Sequence, residues 1–220
     1  MAMINYYASP TGTGTGLTAD SPASIVEAKA LVRGRVAAGS LEEQQQSSWP
    51  FIDNFNRTGP SLGANWVLSG SNSIGIVGNT VRELDSDVSE ESRDTYANLA
   101  SPPTTPNIYA QFMAHLSSTQ SSAHLIVRGL SAKRVGNSTN VHNSNNALLT
   151  TFSDNNNFIR LEVEGTSGSV YSKAASGDSW VSRGTFSFTP VGTNVGFEIV
   201  TWDFEQPTVY VDDFEAGILP

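Results

Sequence analysis

From Trp49 nearly to the end of the chain, apolar side chains recur at every second position in one short segment after another. A period of two puts one face of a segment in a core and the other in water, which suits an antiparallel sheet and not a helix. Residues 107–116 (NIYAQFMAHL) align Ile108, Ala110, Phe112, Ala114 and Leu116 on one side. Residues 157–164 set Ile159, Leu161 and Val163 against Arg160, Glu162 and Glu164, and residues 195–201 repeat the pattern with Val195, Phe197 and Ile199. Val209 and Val211 do so near the C-terminus. Further strand-like runs are 51–56, 65–69, 73–77, 79–84, 94–99, 123–130, 146–153, 168–173 and 179–188, with turns marked by Gly78-Asn79 and by Gly165 and Gly168. The tract 137–146 (NSTNVHNSNN) reads as a polar loop, and 83–94 as an acidic one. Roughly a dozen strands in about 170 residues is the content of a two-sheet jelly roll. The sequence therefore predicts an all-β, antiparallel two-sheet sandwich over residues 49–220.

Composition narrows the partners. Ser, Thr and Asn fill 65 of the 220 positions, which suits many polar turns between strands. There are 12 Lys+Arg against 21 Asp+Glu, a net charge of −9, and the three lysines (Lys29, Lys133, Lys173) are scattered. A nucleic-acid partner is not expected, because displacing counterions from phosphates needs clustered basic residues. The absence of cysteine excludes disulfides, zinc–thiolate sites and a cysteine nucleophile. No apolar run is long enough to span a bilayer, so membrane insertion is not expected. Met1 to Pro10 lacks the basic start and apolar stretch of a signal peptide, which predicts a product that stays in the cytoplasm where it is made or leaves by lysis.

The first 48 residues differ from the rest. Residues 4–8 suggest a short strand and 9–18 (SPTGTGTGLT) a loop. Ser21-Pro22 predicts a helix start, carried to about residue 38 by Ile25, Ala28, Val32 and Val36, with Gly39 as its stop. Residues 40–48 read as a solvated spacer. A strand, a loop and one amphipathic helix cannot bury an apolar face by themselves, so residues 1–48 are expected to attach the chain to sister subunits or to a larger assembly.

Two stretches resemble known families. INYYASPTGTGTGLTADSPASIVEAKALVRGRVAAG, within residues 4–39, resembles the leading segment of pectate-lyase-like parallel β-helix proteins. FIDNFNRTGPSLGANWVLSG at 51–70, with its Asp-x-Phe-x-Arg, Gly-Pro turn and Gly-x-x-Trp, resembles the first strand and turn of concanavalin A-like lectin/glucanase domains. VYVDDFEAG at 209–217 is similar to their last strand. Such domains are frequent in structural proteins of tailed bacteriophages. The resemblance thus implies a non-catalytic virion protein, a capsid decoration, spike or fibre component. It would be a homo-oligomer, with a trimer as the first expectation, bound to other virion proteins through residues 1–48. The alternative it implies is a lectin module of a tail fibre that binds host-surface glycans. It also implies that Asp53, on the first strand, lies near Asp212 or Asp213 on the last, where the three would hold a structural calcium ion with backbone carbonyls. Trp66, Phe51 and Phe55 are expected in the core, and Asp53 and Arg57 as an ion pair or turn cap.

Candidate chemistry follows from residue types. Glu83, Asp85 and Asp87 would share one face of a strand, and laminarinase-type glucanases of this fold carry Glu-x-Asp-x-Glu or Glu-x-Asp-x-x-Glu there. Here Asp87 stands at the third position and the flanking aromatics are missing, so a glucanase is the third reading. His115, His124 and His142 have no metal spacing; His115 and His124 are expected to face each other across a hairpin. No Gly-x-Ser-x-Gly elbow is present. For sugar stacking the candidates are Trp202, next to Asp203, with Trp180 and Tyr171; Tyr109 and Tyr96 are further aromatics not assigned to the core. An exposed aromatic patch would serve equally as a subunit contact.

Overall fold

Two-residue turns fix much of the strand pairing. Between Val77 and Thr80 the chain reverses through Gly78 and Asn79, at φ of 61° and 65°. Positive φ at both central residues matches the right-handed twist of the strands on either side. Arg128 and Gly129, at 51° and 84°, do the same between Val127 and Leu130. The run 123–130 is therefore not one strand but the end of one, a turn, and the start of the next.

The computed structural model describes residues 8–9, 23–24, 49–70, 73–84, 93–116, 121–201 and 209–220. The chain divides into two compact units, Met1–Ser48 and Trp49–Pro220. In the first, β1 (Ala8–Ser9) and β2 (Ala23–Ser24) pair in parallel. The helix expected from about residue 22 does not begin there, since Ala23 and Ser24 are extended. Proline fixes φ without donating a hydrogen bond, which suits the residue before a strand as well as a first helical turn. Residues 25–38, the rest of that expected helix, lie outside the described residues.

The second unit is a sandwich of two antiparallel sheets. One has seven strands in the order β12 (Leu148–Ser153), β11 (Ser138–His142), β10 (Leu130–Val135), β9 (Ser122–Val127), β16 (Val195–Thr201), β7 (Arg93–Leu99) and β4 (Trp66–Gly70). The other runs β15 (Val181–Ser187), β14 (Ser167–Lys173), β13 (Phe158–Glu164), β8 (Asn107–Leu116), β17 (Val209–Ile218), β6 (Thr80–Glu83) and β5 (Ile74–Val77), with β3 (Phe51–Asp53) paired to β17. The tract expected as a loop at 137–146 contains β11. Val141 and Thr139 are buried there, and antiparallel pairing on both sides with β10 and β12 outweighs the turn preference of its Asn and Ser residues.

The core follows the alternation. Ile108, Ala110, Phe112 and Ala114 of β8 are buried, as are Leu125 and Val127 of β9, Ile159, Leu161 and Val163 of β13, and Val195, Phe197 and Ile199 of β16. Trp66 sits among Phe51, Phe55, Phe197 and Phe214, with ring centroids 4.9–5.9 Å from its own. Its indole N–H donates to Asp53 Oδ2 at 2.8 Å. The same carboxylate accepts two bonds from the Arg57 guanidinium, at 2.6 and 2.9 Å, and one from the Phe55 amide at 2.9 Å. Arg57 also donates to the Leu62 carbonyl at 2.7 Å. The Asp-x-Phe-x-Arg…Trp pattern is thus a clasp that folds residues 53–66 onto the core.

A second ionic cluster joins the sheets. Arg134 of β10, 2% exposed, donates to Asp154 Oδ1 and to its carbonyl, both at 2.9 Å. From the other sheet, Ser172 of β14 donates to Asp154 Oδ2 at 2.6 Å, and Arg183 of β15 lies 3.0 Å from the same atom. Burial pushes the Asp154 carboxyl up, but the bonds from Ser172, Arg134 and the Asn156 amide outweigh it and hold the group below its usual value. A depressed carboxyl stabilises the fold above its unfolded-state pKa and loses that contribution as pH falls through its folded one. Thermal melts below about pH 4 should therefore show a stability loss that is smaller in Asp154→Ala. At neutral pH, Asp154→Ala should cost about 3–5 kcal/mol, because it leaves Arg134 buried and unpaired.

Candidate functional site

The strand register lines up polar residues across the outer face of the seven-stranded sheet. Tyr96 of β7 stands opposite Glu198 of β16, Glu198 opposite His124 of β9, His124 opposite Lys133 of β10, and Lys133 opposite Asn140 of β11. Each is one position away from a core residue, so the alternation that buries Ala97, Phe197, Leu125, Ala132 and Val141 turns these five to the other side. Next to this row, Ser131 of β10 faces His142 of β11. The turn 143–146 rises beyond β11, and with these strands it encloses a cavity of about 510 Å³.

The floor of the cavity is a hydrogen-bonded relay. His124 Nδ1 lies 2.7 Å from Glu198 Oε2, and Ser122 Oγ lies 2.9 Å from His124 Nε2. Tyr96 donates its hydroxyl to Glu198. Burial pushes the Glu198 carboxyl up, yet the bond and charge of His124, the Tyr96 bond and the Lys133 charge hold it below the usual range. Tyr96 is pushed up to about 12, first by burial and then by the bond to Glu198. His142 is lowered by burial and by the neighbouring Lys133 and His124.

Ser122, His124 and Glu198 have the hydrogen-bond order of a hydrolase triad, but not its surroundings. Ser122 is 2% exposed and sits within a regular strand opposite Val200. Strand amides point in the plane of the sheet toward their ladder partners, so the described strands of this face offer no backbone donors for an oxyanion. The relay orients side chains.

The rim is set by asparagines. Asn143 Oδ1 accepts the amides of Asn145 and Ala147, both at 3.0 Å, which fixes the turn and leaves its NH2 as a donor. Asn140 Oδ1 accepts from Thr151 at 3.0 Å, with the same consequence.

The sequence-predicted residues fall elsewhere. Tyr171 is on the outer face of the eight-stranded sheet, where Glu162 and Ser169 surround its hydroxyl. Trp180 lies in the β14–β15 connection, 4.5 Å from Lys173 Nζ. Trp202 and Asp203 lie outside the described residues. Tyr109 lies over the Arg160 guanidinium, 3.9 Å away, and donates to Glu215 at 2.5 Å, also on the eight-stranded sheet. His115 and His124 do not face each other: His115 is on β8, stacked on Tyr210 at 4.7 Å, and His124 is on the other sheet. Strand β6 ends at Glu83, whose carboxylate accepts the Thr201 hydroxyl, and Asp85 and Asp87 lie outside the described residues.

The aspartates considered for calcium are near one another but do not form a cage. Both oxygens of Asp53 are occupied by Arg57, Trp66 and Phe55. Asp212 Oδ1 accepts the Asp213 amide at 2.8 Å, and burial, with the charges of Asp213 and Asp53, pushes Asp212 up. Among the described residues no group of three or more His, Asp or Glu is placed to hold a metal.

No protein-family model and no curated protein matches the sequence. Solved structures do match. The Ca2+-bound exoplasmic/lumenal domain of VIP36 aligns with a TM-score of 0.58 at 12% identity, over 78% of this chain and 90% of that one. Its Ca2+/Man2-bound form aligns at 0.57 and 13%, over 77% and 87%. The CBM2 module of the evolved Dit of Lactobacillus casei BL23 phage J-1 aligns at 0.54 and 8%, over 76% and 93%. The GH43 protein BlXynB (mutant K247S) from Bacillus licheniformis aligns at 0.53 and 10%, over 76% of this chain and 39% of that one. The class of the fold is thereby fixed: it is the concanavalin A-like jelly-roll sandwich.

Replacing Glu198 by Gln removes the charge that opposes ionisation of the Tyr96 phenol. The Tyr96 ionisation should then fall from about 12 toward the ordinary phenol value while burial keeps it above that value, read by an ultraviolet titration against a Tyr96→Phe control.

Proposed function

We propose that residues 49–220 are a non-catalytic glycan-binding module carried on a phage particle, and that residues 1–48 attach it there. The observation that carries this reading is the cavity over β7, β16, β9, β10 and β11. It is open and polar, with one half-buried aromatic ring and several amide, imidazole and ammonium groups held at fixed positions. Sugars are recognised by such sets, in which a few polar groups converge in a shallow site and an aromatic supplies apolar contact. The volume of about 510 Å³ suits a small oligosaccharide segment. VIP36, a structural neighbour, is described in a Ca2+/Man-bound form, and the phage Dit neighbour is described as a CBM2 module.

The non-catalytic part of the proposal has its own support. Among the described residues Glu198 is the one carboxylate that lines the cavity, and its oxygens are engaged by His124 and Tyr96. Glycoside hydrolysis needs two carboxyls about 5–9.5 Å apart across the scissile bond. Calcium is not part of the reading, because Asp53 is committed to Arg57 and Trp66.

Virion display with no ligand, the first expectation from the resemblance, becomes the context of the module instead of its whole role. Phage origin is supported by the resemblance of residues 4–39 and by the likeness to the Dit module, and a homo-oligomer remains the expected state.

Two experiments test this. On a glycan array, Tyr96→Ala and Asn143→Ala should each weaken binding on the order of tenfold without changing the melting temperature by more than a few degrees. Binding that survives both would remove the cavity as the site. Light scattering on the full chain and on residues 49–220 should give an oligomer and a monomer respectively; two monomers would dismiss the attachment role of residues 1–48.

A further inference from the structure

We propose that the cavity prefers saccharides bearing an anionic group, a carboxylate or a phosphate, and that Lys133 confers the preference; this rests on the glycan-binding reading above. The one described carboxylate and two of the amide carbonyls of the cavity wall are occupied from within. Glu198, 7% exposed, receives His124 and Tyr96, Asn140 Oδ1 receives Thr151, and Asn143 Oδ1 receives two backbone amides. Donors remain: the NH2 groups of Asn140 and Asn143, the His142 ring and the Lys133 ammonium. An ammonium and two amide NH2 groups beside a carboxylate and amide carbonyls that are already taken suit a ligand rich in acceptor oxygens.

Charge points the same way. Lys133 makes no ion pair among the described residues, whereas the other cavity ion, Glu198, is paired and buried. The protein as a whole carries −9, with 21 acidic residues, yet among the described residues only one carboxylate lines this cavity. Two of the chain's three histidines line it as well. A single ammonium suits one isolated negative charge on a sugar. A polyanion would instead meet the acidic field of the rest of the surface. At physiological salt that field is screened beyond about 8 Å, so the local ammonium decides for a small ligand.

The test is calorimetric titration of the full chain with three size-matched saccharides: a neutral one, a uronate-containing one and a phosphorylated one. The native protein should bind an anionic sugar on the order of tenfold tighter than the neutral one. The preference should vanish in Lys133→Gln and return in Lys133→Arg. Which anionic arm binds tighter identifies carboxylate or phosphate as the natural group. If the neutral sugar binds as well as either anionic one, or if Lys133→Gln keeps the preference, the anionic specificity is overturned and glycan binding stands. If none of the three binds, both readings fall. Should Lys133→Gln not fold, by circular dichroism, the comparison of the three sugars on the native protein still decides.

Discussion

The indole N–H of Trp66 finds its acceptor in the carboxylate of Asp53, and much of the sandwich is arranged around that bond. Trp66 belongs to the seven-stranded sheet and Asp53 to β3, paired with β17 of the eight-stranded one, so the bond joins the two layers. A buried indole without an acceptor would cost about 1–3 kcal/mol, and a buried carboxylate without a partner more. Arg57 supplies the partner in bidentate form, and it does so only because Phe55 takes a positive φ of 50°, which turns the chain back toward Asp53. The strained residue is held there by its own burial against Trp66 and Phe197. Local strain, an ion pair and an aromatic cluster are one unit.

The cavity depends on that unit through a single residue step. Phe197 packs on Trp66 at 5.1 Å and fixes the register and facing of β16. Its neighbour Glu198 must then point out of the opposite face, where it meets Tyr96 and His124. Gly196, on the other side of Phe197, has no room for a side chain: a Cβ there would lie 2.0 Å from the Ala97 carbonyl oxygen. The close approach of β16 to β7 that this allows brings Tyr96 to Glu198. A shift of one residue in β16 would exchange the core phenylalanine with the site glutamate, so register protects both at once.

This explains which features were legible in the sequence. Period-two alternation made the two-sheet sandwich readable, and several strand bounds, 107–116 and 195–201 among them, follow from it directly. The Asp53–Arg57–Trp66 pattern was readable as a turn and a core position because it is local. The cavity was not. Tyr96, Glu198, His124, Lys133 and Asn140 come from five strands spread over about a hundred residues, and no spacing rule links them until the strand order is known. Asn140 and His142 were further hidden in a tract whose Asn and Ser content resembles a loop. A signal did exist, since polar residues facing outward on adjacent strands mark a candidate row, but it needs the order β11-β10-β9-β16-β7 to be read.

The likeness to other sandwiches says little about what this row binds. At 8–13% identity the neighbours share the fold, and a fold of this kind hosts lectins, modules and enzymes alike. The sandwich supplies a rigid face with residues at fixed intervals, about 4.8 Å from strand to strand and about 7 Å from one outward position to the next. What that face recognises depends on which side chains keep open donors or acceptors after the protein has satisfied its own. In this chain the carboxylate and two amide carbonyls are satisfied internally, whereas an ammonium and two amide NH2 groups are not. A sheet face whose carboxylate is already taken and whose ammonium is open favours a ligand that brings acceptors with it. That asymmetry belongs to these residues, and the shared architecture does not impose it.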